Sequence, residues 1–321
     1  MEELVKFNTI TKEDLQDITP LILDAFTKSL DASKKTRETY TRALIRYTHW
    51  LEERETPVTS AKRQTILDYK NTLIEAGKKP STINSALSSI RALYSFLEAE
   101  GVMPNVAAHV KNLRVEKGIA KDPLTERQGR KLMEYISGGE TLEQLRNKVI
   151  ICLMLEEGLR CCEVSRANIE DYGQAEGKTV LYVQRKGHCA KDSVSVINDA
   201  LSDDIYKYLS MRAEVEGKAL KLQAPFVAGV GNRNMGGRMT ERSISRIAKD
   251  ALKEINLNSA RLTAHSLRHT FATLADQAGA EGKDIQEAMG HKSFDTTSIY
   301  IHRRRRIQNA PELKVSKLLR G

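Results

Sequence analysis

The sequence predicts a mainly α-helical chain of two domains, an N-terminal helical bundle followed by an α+β domain with a small antiparallel sheet. Three observations carry this reading. Apolar residues recur at helical spacing through most of the chain, the period shortens to two only between Thr179 and Ile197, and 321 residues suit two cores better than one.

The elements follow in order. Residues 1–32 read as an N-terminal extension with one helical candidate, Lys12 to Leu30, interrupted by Pro20. Residues 33–112 form the bundle. Its first helix starts near Thr36 and presents Tyr40, Ala43, Leu44, Tyr47, Trp50 and Leu51 on one face, while Lys34, Lys35, Arg37, Arg42 and Arg46 decorate the outer faces. A second helix runs from about Ser60 to Gly77, a residue suited to a left-handed C-terminal cap. Ser81 is expected to cap a third, with Ile83, Leu87, Ile90, Tyr94 and Leu97 in a stripe ending before Gly101. Residues 113–122 are polar, basic and helix-poor, as an interdomain linker is.

The second domain, residues 123–300, opens on Thr125-Glu126-Arg127-Gln128, a capping-box pattern ahead of a helix to Ile136. Another helix spans Leu142 to Glu157 and stops at Gly158. Alternation through Val180, Tyr182 and Gln184, and again through Ser193 and Ser195, predicts two strands joined by a hairpin over Arg185 to Ala190. Ala224 to Arg238 is a glycine-rich loop that lacks the Gly-Lys-Ser/Thr of a phosphate cradle. Residues 301–321 are a tail with Arg303 to Arg306 and then Leu313, Val315, Leu318 and Leu319, an apolar set compatible either with a short helix that docks on a neighbouring protomer or with a frayed tail of solvated arginines.

Composition narrows the function. At 40% hydrophobic and 29% charged the chain is neither disordered nor membrane-embedded, and its longest apolar run, Val149 to Leu155, falls far short of the roughly 18 residues a spanning helix needs. The acidic start lacks a signal peptide's basic head, so a cytoplasmic location is expected. A formal charge of +9, from 51 Lys and Arg against 42 Asp and Glu, leaves nucleic acid, anionic membrane and acidic protein open as partners. Cys152, Cys161, Cys162 and Cys189 form no metal or disulfide pattern and read as reduced thiols.

Four segments carry groups that can hold a phosphate. In Gly158-Leu159-Arg160, the arginine follows a helix break and Glu163 stands three residues on. Lys186-Gly187 lies at the hairpin tip. His265, Arg268 and His269 share one helical face. His265 and His269 could in principle ligate zinc, but Ser266 stands where a metallopeptidase motif has Glu, and no further ligand cluster is near. Last, Gly290-His291 ends one helix and Tyr300 follows nine positions later.

Taken in order, Arg160-x-x-Glu163, Lys186, His265-x-x-Arg268-His269, His291 and Tyr300 resemble the tyrosine recombinase family, the phage-integrase and Xer-like enzymes. Lys191 competes with Lys186 for the hairpin position, and the bundle at 33–112 is similar to the family's core-binding DNA domain. The resemblance implies the DNA breaking-rejoining fold and a site-specific recombinase for integration, excision or resolution, with no cofactor and no metal. It also implies the roles. Arg160 and Arg268 bind the phosphate, Tyr300 attacks it to form a 3′-phosphotyrosyl link, and Lys186 protonates the leaving 5′-oxygen. His265 and His291 hydrogen-bond the phosphate, Glu163 and His269 support, and Lys34, Lys35, Arg37, Arg42 and Arg46 contact DNA. The implied partners are double-stranded DNA and a homo-tetramer on two DNA sites, with DNA-bending accessory factors and a mobile-element role in view. Competing readings are a type IB topoisomerase-like relaxing enzyme, a non-catalytic DNA-binding protein of the same fold and, more remotely, a small-molecule or zinc enzyme.

Overall fold

The computed structural model describes residues 14–115, 121–290 and 311–320. Its chain divides into two compact units, Met1–Lys117 and Gly118–Gly321.

In the first unit the apolar stripes become four packed helices: α1 (Asp14–Ser29), α2 (Lys34–Glu52), α3 (Arg63–Glu75) and α4 (Pro80–Ala99). Pro20 does not interrupt α1, which runs through it. The proline removes one backbone donor, while burial of Ile22 and Phe26 against the bundle holds the following turns in place. Ser33 caps α2 by accepting from the Thr36 N–H. The third amphipathic stripe starts two residues earlier than expected. Pro80, whose φ is preset for a first helical position, occupies N1, and Lys79 rather than Ser81 is the N-cap.

The core of this unit is aromatic and almost free of charge. Tyr47, Trp50 and Tyr69 meet with ring centroids 5.0 Å (Tyr47–Tyr69) and 5.2 Å (Trp50–Tyr69) apart. Two buried hydroxyls are answered in place, since those of Tyr47 and Tyr94 lie 2.9 Å apart and Tyr94 donates to the Val58 carbonyl at 3.1 Å, whereas Nε1 of Trp50 is buried with no hydrogen-bond partner among the described residues. Lys34, Lys35, Arg37, Arg42 and Arg46 are all exposed on α2.

The second unit contains α5 (Glu126–Ser137), α6 (Leu142–Leu155), α7 (Cys161–Arg166), strands β1 (Tyr172–Ala175), β2 (Lys178–Val183) and β3 (Ser193–Val196), then α8 (Asp199–Glu216), α9 (Glu241–Glu254), α10 (Ala264–Gln277), α11 (Gly282–Met289) and α12 (Pro311–Arg320). Capping boxes start α5 at Thr125 with Gln128 and α6 at Thr141 with Gln144, each satisfying backbone donors at both ends of the first turn. The Val149–Leu155 run makes α6 the buried axis of the unit, packed against α8, α9 and α10. Among the described residues no helix is long and apolar enough to cross a membrane.

The sheet has three strands in the order β1-β2-β3, one more than the alternation revealed. β1 is short and polar, and its turn into β2 consists of Glu176 and Gly177 at φ 50° and 73°, the left-handed pair that matches strand twist in a two-residue hairpin. Register places Leu181 opposite Ser195 and Tyr182 opposite Val194. Ser195 therefore turns inward, where its hydroxyl donates to Glu157 at 3.1 Å, while Val194 and Val196 face solvent.

Candidate active site

The candidate site is built where α6 ends, α7 begins, β2 runs out, α10 starts and α11 stops. Gly158 makes the first bend at φ 64°, and a Cβ there would lie 2.5 Å from the Phe271 ring, so both the dihedral and the space require glycine. The turn delivers Arg160 as the N-cap of α7.

Glu163, only 1% exposed, is the hub. It accepts from the Arg160 backbone N–H at 2.8 Å and from Arg160 Nη1 at 2.7 Å. Arg185 Nη1 reaches it at 3.3 Å and Arg268 Nη1 at 3.8 Å. One carboxylate thus gathers three guanidinium groups.

The second anchor is the C-terminal end of α11, where orphaned carbonyls and the negative end of the helix dipole favour cations. Arg185 donates to the Ala288 carbonyl at 2.6 Å, Arg160 to Met289 at 3.2 Å and Gly290 at 3.5 Å, and Arg268 to Met289. Arg268 also donates to the carbonyl of Gly158. Gly290 closes α11 at φ 56°, and a Cβ on it would sit 2.8 Å from Arg185 Cδ.

The cluster carries more positive than negative side-chain charge in a buried place. Burial above all, then Arg160, pulls the Arg268 pKa down to about 9, which still leaves it charged at neutral pH. Nε of Arg268 and Nε of Arg185 are buried with no hydrogen-bond partner among the described residues. Such a site is prepared for an anion with several acceptor oxygens.

His265 lies exposed on the first turn of α10 with buried His269 one turn below, ring centroids 4.2 Å apart. Partial desolvation of its ring first, then Arg268, Arg160 and Lys121, lowers the His265 pKa from its ordinary value and so favours the neutral imidazole. Lys186 is exposed in the turn after β2. Lys191, its competitor for the hairpin role, is committed to Asp171 at 2.5 Å. His291 and Tyr300 lie outside the described residues.

Arg185 is the site residue that sequence reasoning missed. Leu181, Val183 and Arg185 are all buried at alternate positions, so the inward face of β2 continues one step past the strand and ends on a guanidinium. The alternation that located β2 was the available signal.

The cysteines beside Arg160 are shielded. Burial pushes the Cys161 thiol up to about 11 and raises Cys162 as well, whereas Cys189, beyond Lys186 on the hairpin, is exposed. Among the described residues no group of three His, Cys, Asp or Glu is placed to hold a metal.

Comparisons with known proteins point to one family. Residues 123–306 match the model described as phage integrase family, and residues 23–101 match the phage integrase, N-terminal SAM-like domain. The tyrosine recombinase XerC of Thermodesulfovibrio yellowstonii is 31% identical over 229 residues, 70% of this chain and 72% of its own. Two solved structures share the fold. The XerH recombinase bound to its difH substrate has a TM-score of 0.69 at 18% identity, covering 94% of this chain and 84% of that one. A lambda integrase tetramer on a Holliday junction has a TM-score of 0.65 at 20% identity, covering 92% and 78%. This chain, with a buried arginine cluster and an imidazole beside it, matched by family models over both of its units and by a relative at 31% identity, belongs to the phage integrase family of tyrosine recombinases, the site-specific enzymes that break and rejoin DNA.

Proposed function

We propose that Arg160 and Arg268 clamp the scissile phosphate while Tyr300 attacks it in line. The observation that carries this reading is the gathering of buried guanidiniums on Glu163 and the end of α11 beside His265. The phenolic oxygen bonds to phosphorus, the bond to the 5′-oxygen breaks, and a 3′-phosphotyrosyl link stores the energy for rejoining. His265 takes the phenolic proton, and Lys186 gives one to the leaving 5′-oxygen. His291 adds a hydrogen bond to the phosphate, and His269 braces His265 from below.

Residues 33–112 act as the core-binding domain, with Lys34, Lys35, Arg37, Arg42 and Arg46 on DNA phosphates, and residues 123–300 as the catalytic domain. The exposure of all five cations supports the first role. The working form is a homo-tetramer on two duplexes in the cytoplasm, serving a mobile element, with DNA-bending accessory factors. The lambda integrase tetramer on a Holliday junction supports the tetrameric form. α12, whose Leu318 and Leu319 are 85% and 80% exposed, docks on a neighbouring protomer.

The test is a nicked duplex that traps the covalent intermediate on a denaturing gel. Wild type is expected to give an SDS-resistant adduct, and Tyr300→Phe to bind the same DNA without one. An adduct from Tyr300→Phe removes Tyr300 as the nucleophile. Exchange of strands between two sites, rather than relaxation of supercoils by a single protomer, separates the recombinase from a relaxing enzyme.

A further inference from the structure

Arg185 stands at a junction that the reading above leaves without a purpose. Its carbonyl accepts from the His188 N–H at 3.1 Å, closing a four-residue turn whose central residues are Lys186 and Gly187, the latter at φ 86°. Its side chain, in a residue 3% exposed, runs the other way into the arginine cluster. There it spans Glu163 and the Ala288 carbonyl, and its stem lies where Gly290 leaves room for it. One residue therefore joins the turn that carries Lys186, the motif that carries Arg160 and the end of the helix that leads to His291.

We propose that Arg185 is a positioning residue for strand cleavage, pinning the base of the Lys186 turn to the phosphate-binding arginines so that the Lys186 ammonium meets the leaving 5′-oxygen. The inference rests on the reading of Lys186 as general acid. An exposed lysine has many rotamers, and Lys186 has no ion-pair partner among the described residues to choose one. Its aim then depends on where its backbone is held. The far side of the turn is tied by Lys191 to Asp171 at 2.5 Å, and the near side by Arg185 alone among the side chains that reach the cluster from this turn.

A purely structural arginine would do something different. Loss of a charge that only balances Glu163 would loosen Arg160 and Arg268 and slow cleavage of every substrate alike. Loss of a strut for the general acid slows only those reactions whose leaving group needs a proton. When phosphorus is joined to the 5′-carbon through sulfur, the leaving thiolate has an ordinary pKa near 8.5 and departs without one.

The experiment uses the full chain and a nicked duplex whose sequence the wild-type protein has selected from a random pool, made with either oxygen or sulfur at the bridging 5′ position. Arg185→Lys, which keeps the positive charge beside Glu163 but not the span to the Ala288 carbonyl, is expected to cleave the oxygen substrate about 10- to 100-fold more slowly than wild type. On the sulfur substrate it is expected to stay within about 3-fold, with DNA affinity within about 2-fold, because the clamp itself remains. Lys186→Ala is the reference and should show the same selective rescue. Equal slowing on both substrates, or slowing on neither, overturns the role of Arg185. If Lys186→Ala is itself not rescued by sulfur, the general-acid reading falls and this inference with it. Rescue of Lys186→Ala without rescue of Arg185→Lys sinks the inference alone. Should Arg185→Lys not fold, a glycine inserted between Arg185 and Lys186 carries the same test, since it slackens the pin and leaves every arginine of the cluster in place.

Discussion

The two units of this recombinase treat positive charge in opposite ways. Among the described residues the helical unit buries no lysine or arginine, and its α2 cations stand in solvent around an aromatic core. The catalytic unit buries Arg146, Arg185, Arg212 and Arg268, and draws Arg160 half inside. A surface cation is hydrated, mobile and screened, so it can follow a polyanion without choosing one phosphate. A buried guanidinium has given up its water in advance and is fixed by carboxylate and carbonyl partners, so it recognises one phosphate in one orientation. On the proposed function, the contrast separates holding DNA from cutting it.

The sharpest way to break that contrast is Arg268→Lys, which keeps the charge and removes the fork. Cleavage of the nicked duplex in single turnover is expected to fall on the order of 100-fold, with DNA affinity little changed. Equal loss of affinity would mean that the buried cluster also does the holding. A smaller effect is expected on the other side of the comparison. The double change Arg42→Ala with Arg46→Ala should leave cleavage of saturated DNA within about 2-fold while weakening binding, and each lost phosphate contact should flatten the logarithmic salt dependence by about 0.9. An unchanged salt slope would take those two residues off the DNA.

The smallest expected effect concerns pH. Burial pushes the Glu157 carboxyl up to about 7, against a hydrogen bond from Ser195 that lowers it. The folded state then binds more protons than the unfolded state between pH 4.5 and about 7, so this residue's contribution to stability falls as pH rises through that window. One proton sets a ceiling of about 1.4 kcal/mol per pH unit. Glu157→Gln should differ from wild type in its urea midpoint by an amount that changes between pH 5 and pH 7.5. A constant difference would show that Glu157 titrates at its ordinary value.

The helical framework was legible because it follows from local rules. The stripe of Ile83, Leu87, Ile90, Tyr94 and Leu97 is buried, and Thr125 and Gln128 do form their reciprocal cap. What escaped depends on partners distant in the chain. β1 carries too few apolar residues for a periodic signal and exists because β2 pairs with it. Ser195 is buried and Val196 exposed because register, set across the ladder, outranks hydropathy in a four-residue strand. Arg160, Glu163 and Arg268 were identified by their order and spacing. That they share the carbonyls at the end of α11 with Arg185 could not be read from either, since a backbone carbonyl has no sequence signature.

The distribution of the thiols has a practical consequence. Cys161 and Cys162 are held protonated by burial next to Arg160, and Cys152 is sealed inside α6, while Cys189 is open to solvent three residues from Lys186. A maleimide dye should therefore attach to the wild-type chain at Cys189 first. The hairpin comes with its own handle for a fluorophore, and a label can be set three residues from Lys186 without altering any residue of the cluster.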